Sequence, residues 1–158
     1  MAAPAGLAQI QQLLVPLTEK PKPRIWLDEF MNLTIASKMA SKLGPEDGPR
    51  IQKVFNEYVA SMVQHKCNVN RKYVRNPPAL NAIADGHLFS LVALLESRAD
   101  PNVKDESGYS LLDAAALRGR PEMVDLLISY GSKTGLLQKT PEALLVMAKE
   151  LKQPRWPA

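Results

Sequence analysis

The side chains best suited to metal or nucleophilic chemistry at neutral pH are few: His65, His87 and Cys67. His65 and Cys67 stand two residues apart, yet no Cys-x-x-Cys pair accompanies them, so a zinc site is not expected. With a single cysteine no internal disulfide can form, which fits a reducing compartment. Gly131-Ser-Lys-Thr134 has the outline of a phosphate loop but lacks the glycine before the lysine and the upstream glycine. Gly108-Tyr-Ser110 lacks the second glycine of a nucleophile elbow. The expectation is therefore no catalytic, metal-binding or cofactor-binding residues, and no enzyme. Arg71, Lys72 and Arg75 surround Tyr73 in a basic, aromatic cluster of the sort that holds nucleic acid or an anionic lipid headgroup.

The elements that must position these residues are set by an internal period. Residues 81–103, NAIADGHLFSLVALLESRADPNV, and 114–136, AAALRGRPEMVDLLISYGSKTGL, place Ala82 on Ala115, Gly86 on Gly119 and Leu94 on Leu127, each 33 residues apart. A fixed period of this size signals stacked helix pairs, none of which can bury its apolar face alone. Cys67-Asn68-Val69-Asn70 is similar to Ala99-Asp100-Pro101-Asn102, so the helical segment before it reads as a degenerate repeat over residues 26–75. Within that segment Trp26, Phe30, Leu33, Ala36, Ala40 and Leu43 form one apolar stripe, with Met39 beside it. Ile51, Val54, Phe55, Tyr58, Val59 and Met62 form a second, predicting helices over 26–43 and 50–66 separated by the GPEDGP break. Cys67 then takes the small, buried position of Ala99.

The ends read differently. Pro4, Pro16, Pro21 and Pro23 predict an extended arm over residues 1–24, in which Leu7, Ile10, Leu13, Leu14 and Leu17 can still form a short amphipathic turn packed on something; the arm is marginal as an independent helix and shaped by a surface it binds. Over 136–158 a capping helix is expected, with Thr140 as N-cap, Pro141 and Glu142 in its first turn, and a tail whose Trp156 is flanked by prolines.

Composition excludes little else. The chain is 46% hydrophobic and 23% charged, in the ordinary range of soluble domains. No apolar run approaches the roughly 20 residues needed to span a bilayer, and the first 17 residues carry no basic start of a secretory signal. We expect an intracellular protein, soluble or peripheral, in the cytoplasm or as an organelle-resident subunit. Charge is uneven: +5 over residues 1–75, −3 over 76–133 and +2 over 134–158.

Residues 105–133, DESGYSLLDAAALRGRPEMVDLLISYGSK, resemble an ankyrin repeat in Asp105, Gly108, Leu112, Ala115, Ala116, Gly119, Val124, Leu127 and Gly131. The preceding repeat keeps Pro78, Ala82, Gly86, His87, Leu94, Leu95, Ala99 and Asn102. Ser110, Leu111 and Asp113 replace the usual Thr, Pro and His, which weakens the expected start of that helix. The resemblance covers residues 76–135 and implies an all-α, ankyrin-type helical solenoid whose extended N- and C-terminal arms flank two clear repeats. It also implies partner binding at hairpin tips and at exposed inner-helix positions. Those map to Arg71, Lys72, Tyr73, Arg75 and Asp85, then to Lys104, Asp105, Glu106, Tyr109, Asp113, Leu117 and Arg118, with Trp156 added from the tail. The acidic hairpin beside the basic cluster argues against a continuous polyanion as partner. The expected function is non-catalytic protein–protein interaction, as an accessory or scaffold subunit bound to other subunits of a complex. The alternatives are a free adaptor that binds one partner reversibly and a binder of nucleic acid or lipid headgroups.

Overall fold

The computed structural model describes residues 5–17, 26–72 and 76–152. Among them eight α-helices follow one another: α1 (Ala5–Leu13), α2 (Trp26–Ala40), α3 (Gly48–Gln64), α4 (Pro78–Asp85), α5 (Leu88–Glu96), α6 (Leu111–Leu117), α7 (Pro121–Ser129) and α8 (Pro141–Lys152). A short 3-10 turn at Pro45–Asp47 joins α2 to α3. The fold is an all-α helical repeat.

Two helix pairs carry the period. α4 lies against α5 and α6 against α7, and the first helices of the two pairs, α4 and α6, pack on each other. Each pair turns through a left-handed glycine, Gly86 at φ 75° and Gly119 at φ 67°, where a side chain on Cβ would be strained. The residue after each glycine returns its N–H to the first helix: His87 to the Ala82 carbonyl at 2.8 Å, Arg120 to Ala115 at 3.0 Å.

The far ends of the second helices repeat too, and here α3 joins them. Lys66, Arg98 and Gly131 all take left-handed φ, at 71°, 67° and 78°. The next residue in each case is small and buried (Cys67, Ala99, Ser132). Its N–H reaches back to the helix, to Met62, Leu94 and Leu127 at 3.0, 2.9 and 3.0 Å. One loop then fastens to the next: Asn70 Oδ1 accepts from the Asp100 N–H, and Asn102 Oδ1 from the Lys133 N–H, both at 2.7 Å.

Both ends of the stack are covered. At one, α8 packs on α6 and α7, buries Leu144 and Ala148, and starts from Thr140, whose hydroxyl accepts the Ala143 N–H at 3.1 Å. At the other, α3 runs along α5, and α1 packs against α2 and α3.

Of the arm expected over 1–24, the described stretch Ala5–Leu13 is not extended: the short amphipathic turn expected there is the helix α1. Leu7, Ile10 and Leu14 are 2%, 0% and 1% exposed, and Leu17 N–H donates to Ser61 Oγ at 3.0 Å. A nine-residue helix is too short to hold alone; burial of one face against α2 and α3 supplies what propensity does not. The surface that shapes the segment is the chain's own. The tail expected over 153–158, with Trp156, lies outside the described residues.

Candidate functional site

The hairpin between α5 and α6 is built by Asp105. Its Oδ1 accepts the N–H groups of Ser107 and Tyr109, both at 2.9 Å. The Asp105 N–H pairs with the Tyr109 carbonyl, and Lys104 bridges to Ser110. Gly108, at φ 96°, closes the turn with open space where a Cβ would stand. Asp105 and Tyr109 are thus half-buried parts of the turn, while Lys104 and Glu106 are exposed on it.

The preceding loop stands beside this hairpin. Arg71 and Lys72 are exposed, and Lys72 Nζ lies 3.8 Å from Glu106 Oε1. Neighbouring tips therefore present alternating charge, and the ion pair between them is solvated and weak. Tyr73, Arg75 and Trp156 lie outside the described residues.

The inner-helix candidates divide. Asp85 ends α4, Leu117 ends α6 and Arg118 follows it; all three are exposed. They sit at the far ends of helices of eight and seven residues, roughly 10 Å from the tips at 1.5 Å per residue. Asp113 is corrected: it is 0% exposed and not available to a partner. Its Oδ2 accepts the Ser110 N–H at 3.1 Å, while Ser110 Oγ accepts the Asp113 N–H at 3.1 Å. This capping box restores the helix start that the loss of Thr-Pro was expected to weaken. Ser110 followed three residues on by an acidic residue was a readable cap signal, and the family position of Asp113 obscured it.

Two features escaped the sequence. Arg120, at the α6–α7 turn, reaches back to α4, donating from Nε to the Ile83 carbonyl at 2.7 Å and from Nη2 to Ala84 at 3.0 Å. It occupies the last carbonyls of that helix, where a cation also meets the negative end of the dipole. The second is an apolar row on the outside of α2: Leu27, Met31 and Ile35 are 39%, 50% and 46% exposed. Their i, i+4, i+8 spacing was the available signal.

His87 lies between α2 and the α4–α5 turn. Burial holds its pKa below the ordinary 6.5, opposed by the Asp85 carboxylate and assisted by the charges of Lys38 and Arg120. Among the described residues no group of three His, Cys, Asp or Glu is placed to hold a metal ion. Nor is any helix among them long and apolar enough to cross a membrane.

With this geometry in hand, the comparison with known proteins is direct. The family model described as ankyrin repeats (many copies) matches residues 79–128, from α4 through most of α7. Over those residues the chain is similar to ankyrin repeats. No solved structure matches the chain. Ankyrin repeats generally mediate protein–protein interaction.

Proposed function

We propose that this chain is a non-catalytic interaction module and an accessory or scaffold subunit of a larger intracellular assembly. It would hold neighbouring subunits by the row of hairpin tips at Arg71, Lys72, Lys104 and Glu106. The observation that carries the reading is the juxtaposition of those tips: side chains of both signs from successive loops stand outward together, 3.8 Å apart at Lys72–Glu106. Such a row reads a partner by charge pattern and fixes its register. Mixed sign favours a protein over a polyanion, because Glu106 stands against Lys72 and interrupts the basic cluster that nucleic acid or lipid headgroups would need. Asp85, Leu117, Arg118 and Trp156 are the second contact set, on the same reading.

We further read residues 26–72 as a repeat that keeps its second helix and its loop but has lost the glycine turn of the other two. Asn70, in the place of Asn102, supports this. Residues 5–17 have no wrapping role in this proposal, since their apolar face is committed to the core.

The test is the native size of the particle carrying the chain, from gentle fractionation of a lysate with identification of co-eluting proteins. Elution in a large stoichiometric complex is expected, and Arg71→Glu with Lys104→Glu should release the chain without altering its thermal melt. Elution near its own 17.4 kDa, or with one exchangeable partner, overturns the subunit reading in favour of a reversible adaptor.

A further inference from the structure

We propose that the outer face of α2 is a self-association surface that pairs antiparallel with the same helix of a second copy. The face is a stripe of five exposed residues. At 100° per residue, Leu27, Lys38, Met31, Ile35 and Asp28 fall within about 100° of one another. The opposite side carries the buried Leu33, Ala36, Ser37 and Ala40. Leu27, Met31 and Ile35 form a contiguous apolar ridge along the helix, not scattered surface residues.

The occupant follows from the order of charges. Acidic Asp28 lies in the first turn and basic Lys38 in the last. A two-fold axis passing near residue 33 sets Asp28 of one copy opposite Lys38 of the other, twice, with Met31 opposite Ile35 between them. Asp28, Met31, Ile35 and Lys38 are thus their own complement, which is what an isologous contact requires. Antiparallel packing also sets the helix dipoles head to tail. A parallel pair would put like charges together at both ends. Beside the ridge, Leu27 and Met31 continue into a cleft of about 70 Å³ against Pro78, Ala82 and Leu94, which extends the apolar area toward α4 and α5.

The experiment is sedimentation velocity on the full chain over a range of concentrations, with thermal melts as the check on folding. A reversible dimer is expected, and Met31→Glu with Ile35→Glu should abolish it. Asp28→Lys or Lys38→Asp alone should each weaken self-association about tenfold, since each sets like charges opposite one another twice. Mixing these two variants should restore a dimer that is heterodimeric. One chain then carries lysine at both positions and the other carries aspartate at both, so every facing pair is again of opposite sign. A monomer at every concentration, a dimer indifferent to Met31→Glu with Ile35→Glu, or variants that do not recover on mixing would each overturn the proposal.

Discussion

At the scale of single residues, position in the backbone decides which side chains are replaceable. Gly119 and Gly108 both have positive φ, at 67° and 96°, but only Gly119 is enclosed. A Cβ there would stand 3.1 Å from the Leu151 carbonyl carbon and the Lys152 nitrogen, both backbone atoms of α8. Gly108 has nothing within 4 Å. Gly108→Ala should cost about 1–2 kcal/mol of conformational strain, and Gly119→Ala the same strain plus displacement of α8, about 1–3 kcal/mol more. Urea titration of both variants would reveal the difference, and equal losses would show that α8 yields freely. His87 gives a pH dependence. Its folded pKa lies below the unfolded 6.5, so the unfolded chain binds the proton first. Its contribution to stability is complete above the unfolded value and declines as pH falls through 6.5 toward the folded value. His87→Gln should flatten the stability profile in that window, as read by thermal melts across pH 5–8.

The elements show what pattern alone can specify. The two core stripes of α2 and α3 were readable, because their apolar residues recur at helical spacing and find a neighbour on one side only. Ile51, Phe55, Tyr58, Val59 and Met62 are all buried as expected. The glycine turns and the Thr140 cap were readable for the same local reason. What sequence could not convey was tertiary. α1 was legible only as a short amphipathic turn shaped by some surface, since nothing local reports that the groove receiving it belongs to the same chain. Asp113 looked exposed, since its family position outweighed a cap signal three residues wide. At the site, the tips were legible from the repeat, but the Lys72–Glu106 contact and the Arg120 clamp depend on how neighbouring loops stand. The buried α1 carries a prediction of its own. Ile10→Ala removes a side chain that is 0% exposed and should lower stability by about 2–5 kcal/mol. Hydrogen exchange should quicken in α2 and α3 before α6–α8. Uniform quickening would mean that the stack unfolds as a single unit.

Across the whole molecule, the stack is closed at one end by α8 and at the other by α1, the first helix among the described residues. Leu7, Ile10 and Leu14 depend on α3, and Leu17 is bonded to Ser61, 44 residues later. This has a bearing on biosynthesis. A chain made from its N-terminus, at roughly 5–20 residues per second, holds those apolar side chains uncovered for roughly 2–11 s before Ser61 has been added. During that interval the nascent segment is a short oily stretch without a home, the kind of surface that ribosome-associated chaperones hold.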